Sequence, residues 1–167
     1  TDFAPIPTFG GSFDGGGHTI SGLSLTQNLS PAGLFGILQP TAVVKNLTVQ
    51  GIVTPGGDGL SVGGVAGENY GTVENGTFIG TVAGKTNTGG IAGMNYGTLH
   101  ACRAEGNVTG DNRTGGVVGY NCGSLVSCRS SASVNTESVD PTINPKDIRL
   151  DFSMDFSKTA NLDDSDA

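Results

Sequence analysis

The sequence predicts an all-β fold. The chain reads as a parallel β-helix (β-solenoid) of about 26 residues per coil with a C-terminal β-strand extension. Three observations predict it. Residues 63–88 (GGVAGENYGTVENGTFIGTVAGKTNT), 89–114 (GGIAGMNYGTLHACRAEGNVTGDNRT) and 115–140 (GGVVGYNCGSLVSCRSSASVNTESVD) repeat at a constant offset of 26, with no insertion. A fixed period of this size marks a solenoid, in which each repeat is one turn of a shared core. Within the copies, apolar residues alternate with Gly, Ser and Thr, which favours strand over helix. Finally, the copies align into apolar columns: Val65, Ile91 and Val117; Val73, Leu99 and Leu125; Val82, Val108 and Val134. In a parallel β-helix such positions stack at about 4.8 Å and become ladders down the core. Three short strands and three turns fit in each repeat.

Taken in order, residues 1–30 open on PIPTFGGSFDGGGHTISGLSL. Ile20, Leu23 and Leu25 alternate around a glycine, so this segment reads as strands separated by Gly-rich turns. His18 follows three glycines and reads as a turn-to-strand residue.

Residues 33–62 form an irregular first copy. Gly33-Leu34-Phe35-Gly36 matches Gly64-Val65-Ala66-Gly67, and VVKNLTVQGIV (43–53) matches TVENGTFIGTV (72–82). The extra residues fall in PTA (40–42) and TPGGDGLS (54–61), compositions that belong at turns.

Asn69, Asn95 and Asn121 make a polar column, in the tripeptides NYG, NYG and NCG. Asn tolerates the left-handed conformation of a sharp turn, and stacked amides hydrogen-bond along a column. The reading is a structural asparagine ladder. Cys102 and Cys128 share another column. Side chains in register point the same way, which suits a disulfide torsion poorly, so the expectation is two buried free thiols. Cys122 occupies the column of Tyr70 and Tyr96 and is the expected exposed thiol.

The domain reading is a β-helix over 1–134, a Pro-containing linker over 135–146, and an amphipathic strand with a polar tail over 147–167. In the strand, Ile148, Leu150, Phe152, Met154 and Phe156 alternate strictly with Arg149, Asp151, Ser153 and Asp155. A lone strand with one apolar face does not stand in water. It reads as an assembly strand that completes a neighbouring unit.

Composition narrows the function. Lys plus Arg number 8 against 15 Asp plus Glu, a net charge of −7, which argues against nucleic acid, whose phosphates need clustered cations. No apolar run of membrane-spanning length occurs, so no membrane insertion is expected. The columns supply no clustered carboxylates for sugar hydrolysis or elimination: Glu68 gives way to Met94 and Tyr120, and Lys85 to Asp111 and Glu137. No enzyme activity and no cofactor are expected. Asp163, Asp164 and Asp166 read as a solvated acidic loop, since their spacing matches no EF-hand. Thr72, Thr98 and Ser124 form too short a column for an ice-binding array. Five Asn-X-Ser/Thr sequons mark candidate glycosylation sites: Asn46, Asn75, Asn107, Asn112, and Asn28, whose sequon is weakened by Pro31.

The repeat core, glycine–two apolar residues–glycine–X–Asn–X–Gly, resembles the GLUG repeats of bacterial surface proteins. The opening FAPIPTFGGSFDGGGHTISGLSL and the GLFG at 33–36 look like the start of such arrays. The likeness covers about 1–134. It implies an extracellular or cell-surface β-helical module and carries no catalytic residues, since the sequence has no HExxH zinc motif. One departure matters. Family members place a leader before this opening, and here the C-terminal IRLDFSMDFSKTANLDDSDA looks like that leader. The chain therefore reads as a permuted unit. Its expected partners are copies of itself, head to tail, as a tandem array or through strand donation between subunits. The second reading is an adhesin-like or carbohydrate-binding module of a larger protein, with surface glycans as partners.

Overall fold

The structure is a computed structural model, and it describes residues 4–135. The chain divides into two units, Thr1–Thr136 and Glu137–Ala167. The assembly strand Ile148–Phe156 and the acidic residues at 163–166 lie outside the described residues.

The described residues form a succession of strands with no helix, and hence no helix that could cross a membrane. The first coil holds β1 (Ile6–Phe9) and β2 (Ser12–Leu25). The second holds β3 (Phe35–Leu38), β4 (Val43–Val53) and β5 (Leu60–Gly63). The third holds β6 (Ala66–Asn69), β7 (Thr72–Ala83) and β8 (Thr86–Gly89). In the fourth come β9 (Ala92–Asn95), β10 (Thr98–His100), β11 (Arg103–Thr109) and β12 (Asn112–Gly115). The last holds β13 (Val118–Asn121), β14 (Ser124–Val126), β15 (Arg129–Ser130) and β16 (Ser133–Val134).

All pairings are parallel and run from coil to coil, giving three sheets. One is β1-β3-β6-β9-β13. A long one runs from β2 through β4 and β7 to β10 and β11, and then to β14, β15 and β16. The third is β5-β8-β12. The regular coils pair at the 26-residue offset: Ala66 with Ala92, Thr72 with Thr98, Val82 with Val108. The β-solenoid of about 26 residues per coil expected from the sequence is therefore the observed fold of the described residues, while the expected C-terminal strand extension lies outside them. The irregular copy also pairs as aligned, Phe35 with Ala66 and Val43 with Thr72, and its extra residues lie in the turns around 40–42 and 54–59.

Side chains alternate in and out along each strand, and the inward ones form the core. Val65, Ile91, Val73, Leu99, Val82 and Val108 are buried, as are Leu25, Phe35, Leu38 and Phe78. Volumes compensate within a column: Val49, Phe78 and Ala104 succeed one another, and Gly64 lies against the Phe78 ring where a methyl would clash. The apolar columns weaken in the last coil. Val117 and Val134 are only half-buried and Leu125 is 42% exposed, because a column's last member has a neighbour on one side only.

Two expectations are corrected. The opening does form two strands, β1 and β2, separated at Gly10-Gly11, but SFDGGGHTISGLSL is one strand, with no turn at its inner glycines. Its glycines create irregularities in the β2–β4 register at Asp14/His18 and Ile20/Leu23, with Gly16, Gly17 and Gly22 at positive φ. The left-handed corners also fall elsewhere. Asn69, Asn95 and Asn121 do not have positive φ. The left-handed non-glycine residues form two other columns, Asn46, Asn75, Ala101 and Ser127, and Ser61, Asn87 and Arg113, with Asn135 besides.

Candidate functional site

The chemistry-bearing side chains lie in columns on the outside of the coils or at their corners. The Asn ladder sits at the corner after β6, β9 and β13. Asn69 Nδ2 donates to Asn95 Oδ1 at 2.8 Å, and Asn95 Nδ2 donates to Asn121 Oδ1 at 2.8 Å. Each side chain also closes its own turn: the Gly71 N–H donates to Asn69 Oδ1 at 3.1 Å, and Asn69 Nδ2 donates to the Gly71 carbonyl at 3.2 Å. Asn69 and Asn95 are fully buried, while Asn121 is exposed at the end of the stack. The asparagines are thus the hydrogen-bonding partners of the turn rather than its left-handed residues.

A second polar ladder was not foreseen from the sequence. Asn75 Nδ2 donates to Asn46 Oδ1 at 3.0 Å, and Asn46 Nδ2 donates to Asp14 Oδ1 at 3.2 Å. The Gly16 N–H and the Asn46 amide hold the Asp14 carboxyl below its ordinary range. Two of the candidate glycosylation residues, Asn46 and Asn75, therefore already use their amide nitrogens. Asn107 and Asn112 are exposed and carry no such side-chain bond, and Asn28 is exposed on a loop.

The thiols separate by depth. Cys102, Cys122 and Cys128 are all free. Cys102 donates to the Val73 carbonyl at 3.5 Å and Cys128 to the Leu99 carbonyl at 3.2 Å, so each points back to the preceding coil. Cys102 is buried, and burial pushes its thiol up to about 12. Cys128 is only half-buried, contrary to expectation, because it belongs to the last coil. Cys122 is exposed.

All three tyrosines lie in neighbouring columns. Tyr70 and Tyr96 stack with centroids 5.0 Å apart and planes at 4°, and Cys122 follows in their column. The Tyr70 hydroxyl donates to Glu68 at 3.1 Å. Partial burial, then the nearby carboxylate, raises the Tyr70 phenol. The Arg113 guanidinium lies 4.7 Å from the centroid of the Tyr120 ring, a cation–π contact.

On the long sheet, opposite charges succeed one another at Asp14, Lys45 and Glu74. Asp14, Lys45, Glu74 and His100 occupy one register position on successive coils. Among the described residues, no three His, Cys, Asp or Glu side chains come together as metal ligands.

The chain is similar to one curated protein, Halomucin of Haloquadratum walsbyi, at 47% identity over 77 residues. The match takes in 46% of this chain and 1% of that protein, so the shared stretch is a small part of a much longer molecule. No family model matches the chain, and no solved structure matches it.

Proposed function

We propose that this chain is an extracellular structural module, a non-catalytic GLUG-like β-solenoid that joins copies of itself head to tail through residues 147–167. The observation that carries the reading is the open first coil. β1 and β2 each pair on one side only among the described residues. Ile6 is 37% exposed there, and Phe9 and Phe13 are half-buried over Phe35, at centroid distances of 5.2 and 6.2 Å. Such an edge accepts a further strand. The alternating face of Ile148, Leu150, Phe152, Met154 and Phe156 supplies one with matching chemistry. A donor segment at one end and an acceptor edge at the other give a heterologous contact, which propagates as a fibre. The similarity to Halomucin, a mucin by name, fits a surface or secreted setting.

Deleting residues 147–167 tests the reading. The expected result is a soluble chain that light scattering and electron microscopy find unassembled, where the full chain forms filaments. Filaments that persist without the segment would sink the proposal. The second reading, a glycan-binding module of a larger surface protein, is favoured by an arginine-lined groove on the flank of the last coils.

A further inference from the structure

Arg103 and Arg129 depart from the succession of opposite charges seen elsewhere on the described coils. Lys45 succeeds Asp14 and precedes Glu74, and Lys85 is followed one repeat later by Asp111. Arg103 and Arg129, however, are direct register partners on β11 and β15. Their backbones are thus about 4.8 Å apart, and like charges facing each other across a ladder oppose pairing. Glu105 forms an ion pair with Arg103. No carboxylate among the described residues pairs with Arg129. A local excess of positive charge therefore stands on a chain whose net charge is −7.

The backbone makes a concavity at this place. Ala101 and Ser127 both turn through the left-handed region, at φ 54°, and there β10 breaks from β11 and β14 from β15. The resulting groove has a volume of about 400 Å³ and is lined by Asn75, Thr77, Arg103, Ser127 and Arg129. That size falls in the roughly 300–1,000 Å³ range of small-ligand clefts. The lining combines two arginines with the hydroxyl-bearing Thr77 and Ser127, the amide-bearing Asn75, and a small apolar floor of Ala101 and Cys102. Guanidinium groups bind planar oxyanions in pairs of hydrogen bonds, while the neutral groups suit the hydroxyls of a sugar.

We infer that Arg103 and Arg129 form a clamp for an acidic sugar, holding the oxyanion of a uronate or of a sugar sulfate while Thr77, Ser127 and Asn75 meet the ring hydroxyls. The site does not depend on the assembly proposed above, because none of its residues lies at the first coil or beyond residue 135.

The test is isothermal titration of the full chain, at low ionic strength, with an oligouronate, a sulfated dextran and a neutral dextran. At least one acidic polymer binds and the neutral one does not; which acidic polymer binds distinguishes carboxylate from sulfate. Arg129→Gln and Arg103→Gln each weaken binding by roughly tenfold or more, whereas Arg113→Gln, outside the groove, leaves it unchanged. Both groove arginines are exposed, so these variants keep the fold, and Arg129→Gln melts no lower than the parent because it removes a like-charge pair. The proposal is overturned if neither acidic polymer binds, if Arg113→Gln loses as much as Arg129→Gln, or if a single-stranded nucleic acid binds as tightly as the acidic sugars.

Discussion

Asn69 donates its side-chain amide to Asn95 at 2.8 Å, one coil further along the axis, and both side chains are fully buried. Asn95 also donates to Asn121, and more weakly to the Gly97 and Ser124 carbonyls at 3.3 Å each. Asn95→Ala removes the middle of the ladder: buried Asn69 loses its shortest acceptor and keeps only the Gly71 and Thr98 carbonyls, and the Gly97 and Ser124 carbonyls lose the Asn95 amide. Leaving buried polar groups unpaired costs about 1–3 kcal/mol each. The expected loss is therefore about 3 kcal/mol in denaturant unfolding. Asn121 is exposed, so water replaces its partners, and Asn121→Ala costs under about 1 kcal/mol. Equal losses at the two positions would contradict a buried ladder.

The thiols give a pH signature. Burial raises the Cys102 thiol to about 12, so the thiolate favours the unfolded chain, where the group titrates near 9. The stabilising contribution is complete below about pH 9 and declines as pH rises toward about 12. Its slope approaches ~1.4 kcal/mol per pH unit, the value for one proton. Cys102→Ala abolishes that slope. In the native protein at pH 8, a thiol reagent modifies Cys122 quickly and Cys102 only on unfolding, as peptide mapping will read.

The sequons divide by hydrogen bonding. Asn46 and Asn75 commit their amide nitrogens to Asp14 and to Asn46, and a glycan on either nitrogen would break the outer ladder. Asn107 and Asn112 are exposed and have no such partner among the described residues. Expressed in a host that glycosylates Asn-X-Ser/Thr, the chain carries glycan at Asn107 and Asn112, while Asn46 and Asn75 stay bare. Mass spectrometry of glycopeptides checks this site by site.

Much of this architecture was legible because a parallel solenoid converts sequence period directly into spatial contact. The 26-residue offset predicted the register of Thr72, Thr98 and Ser124, and the apolar columns predicted the core of the middle coils. What was not legible depends on backbone geometry rather than residue type. Ala101, Arg113 and Ser127 adopt left-handed corners that favour Gly or Asn, because their columns begin with asparagines or a serine that set the corner. Asn46 and Asn75 already share a position in the aligned segments 43–53 and 72–82, but the outer ladder was hidden because Asp14 comes from the irregular opening and the position continues as Ala101 and Ser127, which carry no amide. The 26-residue offset pairs Arg103 with Arg129 as it pairs Cys102 with Cys128, but the groove was hidden because it needs the left-handed corner at Ala101 and Ser127 beside them.

The column Gly51, Gly80, Gly106 and Ala132 explains where the long sheet frays. β7 and β11 pair without interruption from Thr77–Arg103 to Ala83–Thr109, through Gly80 and Gly106. One coil later the ladder stops after Ala104–Ser130 and resumes only at Asn107–Ser133, so β15 and β16 are separate strands. Gly51, Gly80 and Gly106 sit at φ 159°, 151° and 108°. A methyl on Gly80 would collide with the Gly51 carbonyl, and one on Gly106 with the Gly80 carbonyl. Ala132 carries that methyl, so it cannot repeat the Gly106 geometry, and its N–H donates instead to Ser130 Oγ at 3.0 Å. Ala132→Gly should therefore join β15 to β16, which hydrogen exchange will register as new amide protection around residues 131–132. The added pairing must exceed the extra unfolded-chain entropy of glycine, roughly 0.5–1 kcal/mol, so stability changes little. The reverse change, Gly106→Ala, puts the methyl inside β11, where the ladder to Gly80 holds the backbone. It should cost about 3 kcal/mol or more and split β11 as β15 and β16 are split. If Gly106→Ala melts like the parent, backbone contact in this column is not what breaks the last coil.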